Sequence, residues 1–140
     1  MAKIITAAEA ADLIRDGMTL GVSGFGAFAS PDCVMEAMSR KFKEQNTPRD
    51  LTIVSGVAPG DFVEDGCGLS KIRDVGIIKT LIASHLRMSP AIGRACSENK
   101  IAAFSMPLGV YGQLMNAIGG KRPGIITHVG LNTYADPRQD

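Results

Sequence analysis

The sequence predicts an α/β protein built on an open, mostly parallel sheet with helices on both faces. Two observations carry this. Short apolar runs of strand type alternate with helical stretches, and that order sets successive strands side by side under crossing helices. Glycine is abundant, at 16 residues, and clusters where apolar runs end, as strand-to-helix turns require. Composition agrees, because 45% hydrophobic and 21% charged residues in a chain of 140 supply a core for one domain.

The elements follow in order. "KII" reads as a short lead-in strand. Thr6 and Glu9 form a capping box ahead of "AAEAADLIRDG", because each side chain satisfies an orphan amide of the other's turn, and Gly17 is a left-handed stop. "MTLGVS" is a strand. Ser30 and Pro31 open the helix "PDCVMEAMSRKFKEQN", with the serine as cap and the proline at the first helical position. Val34, Met35, Met38 and Phe42 form its apolar stripe, with Arg40, Lys41 and Lys43 off it. "DLTIVSG" is a buried-type strand, followed by a loop with Pro59, Gly60, Gly66 and Gly68. "IIKTLIASH" is another apolar run, "SPAIGRACSEN" a short helix, "IAAFSM" a strand and "PLGVYGQLMNAIG" a helix. "GIITHVG" turns into extended structure, and "LNTYADPRQD" ends without a covering helix. Residues 1–140 are therefore expected to be one incomplete domain of a longer polypeptide, with no second domain present.

Composition removes several classes of function. The net charge is +1, which gives no field to attract nucleic acid or an anionic membrane. With no Trp, two Tyr and five Phe, the chain is poor in rings for stacking bases. Cys33, Cys67 and Cys96 form no CxxC pair, so neither a zinc site nor a dithiol motif is expected, and a reducing cytoplasmic compartment fits. The N-terminus lacks the apolar core of a signal peptide, and no run approaches the ~20 apolar residues of a membrane span.

The stretch "DGMTLGVSGFGAFASPDCV" carries the chemistry. It passes from strand to helix through Ser23, Gly24, Phe25, Gly26, Ala27, Phe28 and Ala29. Ligands of parallel sheets sit at strand carboxyl ends, and nearly bare backbone there allows close approach. The loop chemistry leaves two readings open. One is a tight turn where backbones crowd. The other is a dinucleotide fingerprint, since Gly24-x-Gly26-x-x-Ala29 matches G-x-G-x-x-A. Against the fingerprint, Pro31 starts the helix after the third position, and the next strand ends at Ser55 without an acid for a ribose hydroxyl.

The same stretch resembles the signature of the family I CoA-transferases. That signature runs Asp-Gly, two variable residues, three apolar residues, Gly-Gly-Phe, three variable residues, then Gly-x-Pro. Asp16, Gly17, Leu20, Val22, Gly24, Phe25 and Pro31 match it. Gly21, Ser23 and Ala29 depart, the last two by small-for-small exchanges. "GIIKTLIASHLRMSPAIGRACSENKIAAFSMPLGVYGQL" and "KRPGIITHVGLNTYADPR" are also similar in order and spacing to the single-chain acetate/propionate branch, so the resemblance covers nearly the whole chain.

The resemblance implies an N-terminal portion of an enzyme that moves CoA from a short-chain acyl-CoA to a carboxylic acid. In the family a glutamate attacks the thioester and forms a glutamyl-CoA intermediate. That glutamate lies beyond Asp140, so no catalytic residue is carried onto this chain. Glu9, Glu36, Glu44, Glu64 and Glu98 read as surface charges. This part would supply an acyl pocket and oxyanion site from Gly24, Phe25, Gly26, Leu108 and Gly109, with residues 23–29 as the CoA-binding loop. Leu108 stands where the family has a glutamine donor, which leaves the Gly109 amide to serve. CoA enters as substrate, and no permanent cofactor or metal is expected. The partners implied are acyl-CoA, a small carboxylic acid and the missing C-terminal half or a second subunit. Apolar edges left open would make the chain a homo-oligomer.

The remaining residues have plainer readings. His85 and His128 read as structural groups without metal-ligand spacing. Met35, Met38, Met106 and Met115 are core fillers, Cys33 reads as an unreactive thiol because burial opposes the activating helix start, and Lys121 and Arg122 read as a solvated turn, with contact to CoA phosphates as the alternative.

Overall fold

The computed structural model describes residues 3–136 and 138. Its centre is a parallel sheet of four strands in the order β1-β2-β3-β4, formed by Thr19–Val22, Leu51–Ser55, Ile78–Ala83 and Ala102–Ser105. Helices α1 (Ala7–Asp12), α2 (Asp32–Gln45), α3 (Pro90–Ser97) and α4 (Leu108–Gly119) alternate with the strands. The expected α/β class and parallel sheet are what the chain adopts.

The register sorts the strand side chains. Leu20, Ile53, Leu81 and Ala103 align on one face, and Gly21, Val54, Ile82 and Phe104 on the other. The first face carries the core, in which Ile53 and Leu81 join Ala11 of α1, Met35 and Met38 of α2, and Ile92 of α3. Leu51, Ile53, Leu69, Ile77, Leu81 and Ile92 are wholly buried, and each contributes about 1.5–3 kcal/mol relative to exposure. The buried hydroxyl at the end of β2 is satisfied, since Ser55 Oγ donates to the Val22 carbonyl at 2.8 Å. β4 differs, because every residue of it is exposed.

Local structure departs from the sequence expectations at several points. "KII" forms no strand, and Ile4 is almost fully exposed, pairing with no strand among the described residues. The Thr6–Glu9 capping box is present, but α1 closes at Leu13 instead of running to Gly17. Gly17 does take a left-handed φ of 73°, in a separate turn where its N–H donates to the Arg49 carbonyl at 2.8 Å. The cap of α2 is also corrected. Pro31 has a non-helical ψ of 56° and takes the cap position, so the helix starts at Asp32 and the Ser30 hydroxyl is buried without a partner. Asp32 instead anchors a later segment, accepting from the Gly68 N–H at 2.9 Å. Residues 68–72, expected as loop, form a short 3-10 helix. Residues 124–130 pair with no strand among the described residues.

Met35 and Met38 fill the core as expected, whereas Met106 and Met115 are only half-buried. Cys33 is exposed in the first turn of α2, so burial does not shield it. Among the described residues no helix is long and apolar enough to cross a membrane.

Candidate functional site at the strand carboxyl ends

The loops that leave the four strands at their carboxyl ends are tied to one another by main-chain bonds. Ser84 N–H donates to the Gly56 carbonyl at 3.1 Å, Ala58 N–H to the His85 carbonyl at 3.0 Å and Met106 N–H to the Ala83 carbonyl at 3.1 Å. The glycine loop joins through Gly60 N–H, which donates to the Gly26 carbonyl at 3.0 Å. These ties fix the rim of the sheet where ligands of parallel α/β folds bind.

Within the loop, Phe25 and Phe28 exchange both main-chain bonds at 3.1 Å, which makes a tight turn at Gly26-Ala27. Ser23 Oγ donates to the Ala29 carbonyl at 3.0 Å and closes the turn from its base. Gly24 has φ 129° and packs on Pro59 so closely that a Cβ would lie 3.0 Å from the proline Cβ. Gly26 has φ 59°, and its N–H is directed at the Met88 sulfur at 3.3 Å. Ala29 also sits in the left-handed region, at φ 56°, in the position where the signature has glycine. The phenyl rings of Phe25 and Phe28 point out of the fold and are 58% and 80% exposed.

The donors divide accordingly. The Phe25 and Gly26 N–H groups are engaged inside the protein, and among the described residues those of Gly24, Ala27 and Ala29 donate no hydrogen bond. Gly24 therefore offers the free amide of the Gly24–Gly26 segment. Leu108 and Gly109 form the first turn of α4, where their N–H groups likewise have no partner among the described residues. Leu108 lies over Gly56, where a Cβ would stand 3.0 Å from its Cδ1. Gly24 and Leu108 each pack on the segment after β2, Gly24 against Pro59 and Leu108 against Gly56.

Other residues fall outside this cluster. Glu9, Glu36, Glu44, Glu64 and Glu98 are all exposed, as expected for surface charges. His85 lines a cleft of about 340 Å³ with Ser84, Phe104, Ser105 and Tyr134, and His128 is exposed. The dinucleotide alternative is not supported. Ala29 lies outside α2 with a strained φ and cannot serve as a helix-packing residue, and β2 ends at Ser55 with no acid beside it. Sequence reasoning did not single out Met88, Pro59 or the contact role of Gly60. Met88 meets Gly26 across 62 positions of chain, and only the loop-marking Pro59-Gly60 pair hinted at a close approach.

A four-stranded parallel sheet with a glycine loop and a helix start at its carboxyl rim defines a parallel α/β protein, the class whose ligands bind at that rim. The model for "Coenzyme A transferase" matches residues 4–140, and this chain belongs to that family. It is 41% identical over 138 residues to the caffeate CoA-transferase of Acetobacterium woodii, covering 99% of this chain and 26% of that protein. It is 35% identical over 137 residues to the acetate CoA-transferase YdiF of Escherichia coli (strain K12), covering 97% of this chain and 25% of that protein. A crystal structure of the acyl-CoA transferase YdiF from E. coli O157:H7, a thioester complex with CoA, superposes with a TM-score of 0.89 at 35% identity. That superposition covers 96% of this chain and 28% of the other. The chain thus spans about a quarter of the length of these relatives.

Proposed function

We propose that residues 1–140 are the N-terminal part of an enzyme that transfers CoA from a short-chain acyl-CoA to a small carboxylic acid. The nucleophile is a glutamate supplied by polypeptide outside these residues, in the missing C-terminal half or a second subunit. Its carboxylate attacks the thioester carbonyl and expels CoA thiolate, leaving a mixed anhydride. The thiolate then attacks the glutamyl carbonyl, which forms the glutamyl-CoA thioester and releases the first acid. The acceptor acid runs the same two steps in reverse.

Negative charge gathers on the carbonyl oxygen in each attack. Fixed amide donors lower that barrier, and one donor is typically worth about 2.7–4 kcal/mol. The observation that carries the reading is the Gly24 N–H, which has no partner among the described residues. The Gly109 N–H at the start of α4 is the second donor, and it stands in for the side-chain amide that a leucine at position 108 lacks. Residues 23–29 receive the thioester arm, and their two exposed phenyl rings give it an apolar wall. CoA acts as substrate with no resident cofactor. Three free cysteines fit the cytoplasm, where we place the enzyme.

The test uses the complete enzyme with an acyl-CoA and an isotopically labelled acid. Label appearing in the CoA ester, with a CoA-sized adduct on a glutamate outside residues 1–140, is the expected result. No exchange with acetyl-, propionyl- or butyryl-CoA overturns the reading. Turnover by the 140-residue chain alone, well above background, overturns the placement of the nucleophile.

A further inference from the structure

We infer that Met88 is a positioning residue for the transfer reaction, acting on the Gly24 amide through Gly26. This rests on the function proposed above. Gly26 is held at both of its main-chain groups by loops from two other strands. Its carbonyl accepts from Gly60 N–H at 3.0 Å, and its N–H donates to Met88 Sδ at 3.3 Å. Two bonds on opposite sides of one residue fix the rotation of its flanking peptide planes. Phe25 is locked to Phe28 by its own pair of bonds. The unengaged Gly24 N–H lies in the 23–24 peptide, next in line to the peptides these bonds hold, so the clamp on Gly26 and Phe25 limits its direction.

The main chain of Met88 is anchored separately from its side chain. Its carbonyl accepts from Phe62 N–H at 2.9 Å, and the neighbouring Ser89 Oγ donates to the Pro59 carbonyl at 2.7 Å. The residue is buried, with 8% exposure, so its sulfur is held in place and shielded from water. The side chain can therefore change while the 57–62 and 84–89 loops keep their connections. A methionine suits the task because it is long and unbranched and its thioether accepts a hydrogen bond. A leucine fills similar volume and accepts nothing.

The experiment compares Met88→Leu and Met88→Gln in the complete enzyme. Leu removes the acceptor at conserved volume, and Gln restores an oxygen acceptor at similar reach. With Leu, kcat falls about tenfold, the scale of one hydrogen bond. KM for the acyl-CoA stays within about twofold, because the loss is confined to the transition state. The unfolding midpoint stays near that of the wild type, and hydrogen exchange at the Gly26 amide accelerates selectively. With Gln, kcat returns toward the wild-type value. Should Met88→Leu fail to fold, norleucine at residue 88 exchanges only sulfur for methylene and carries the same test. A wild-type kcat in the Leu or norleucine variant overturns the inference, as does unchanged Gly26 exchange or a rise in KM alone. A wild-type enzyme without CoA transfer overturns the functional reading, and this role with it. An active wild type with an indifferent variant removes only the role of Met88.

Discussion

Gly60 packs against Met88 so closely that a Cβ on residue 60 would overlap the Met88 carbonyl oxygen. The same glycine donates to the Gly26 carbonyl, so one bare position ties three loops together. Gly60→Ala must push the 84–89 loop away from the 57–62 loop. Overpacking of this kind costs about 1–3 kcal/mol, and here the obstacle is main chain that cannot swing aside. Urea unfolding of Gly60→Ala beside the wild type should show a lower midpoint with an unchanged slope. An unchanged midpoint contradicts the packing described.

Ala29 holds φ 56°, a conformation costing a side-chain-bearing residue about 1–2 kcal/mol. Glycine removes that strain but gains freedom in the unfolded chain, which offsets about 0.4–1 kcal/mol. Ala29→Gly should therefore stabilise the protein by up to about 1.6 kcal/mol, whereas Ala29→Val should destabilise it. Thermal unfolding of the pair settles the order.

Gly24→Ala bears on activity. The new methyl would press on Pro59 and favour a φ far from 129°, so the Gly24 N–H would turn away from its present direction. Displacing a stabilising donor by about 1 Å costs on the order of 10²-fold in rate. In the complete enzyme kcat should fall by that order while the protein remains folded by circular dichroism. Retention of full kcat removes Gly24 from the oxyanion site.

Asp16 predicts a dependence on acid. The Thr47 hydroxyl donates to its carboxylate at 2.6 Å and the Arg49 N–H at 2.9 Å, and these bonds hold the Asp16 carboxyl below its usual range. A depressed folded value stabilises the protein in full above the unfolded carboxylate value of about 3.9. That contribution is lost as pH falls through the lower folded value. Urea midpoints measured from neutral to acid pH should decline in this window, and Asp16→Asn should flatten the decline. An identical acid limb in the variant counts against the contribution of Asp16.

The open edge of β4 predicts association. All of its residues are exposed, Phe104 is 59% exposed, and Leu108, Ile118 and Val129 add apolar surface nearby in sequence. Such an edge invites pairing with another chain. The 140-residue chain should form oligomers whose mass grows with concentration in light scattering. A monodisperse 14.8 kDa species at high concentration contradicts this.

Much of the fold was legible because its signals are local. The Thr6–Glu9 box, the stripe of α2 and the alternation of strand and helix each depend on residues a few positions apart. The glycine loop stood out for the same reason, since bare backbone after a strand is visible in any sequence window. The Ser30 cap failed because Pro31 holds a non-helical ψ of 56°, which moves the cap one residue on and starts α2 at Asp32, whose carboxylate receives the Gly68 N–H from 36 positions away.

By itself, then, the sequence determined the parallel α/β class, the order of its elements and the loop that carries the candidate chemistry. The tertiary structure decided which amides in that loop remain free. The Gly26 N–H is taken by Met88 and its carbonyl by Gly60, both reaching it from loops of other strands. Such bonds form only when the sheet brings its carboxyl ends together, and no spacing along the chain encodes them.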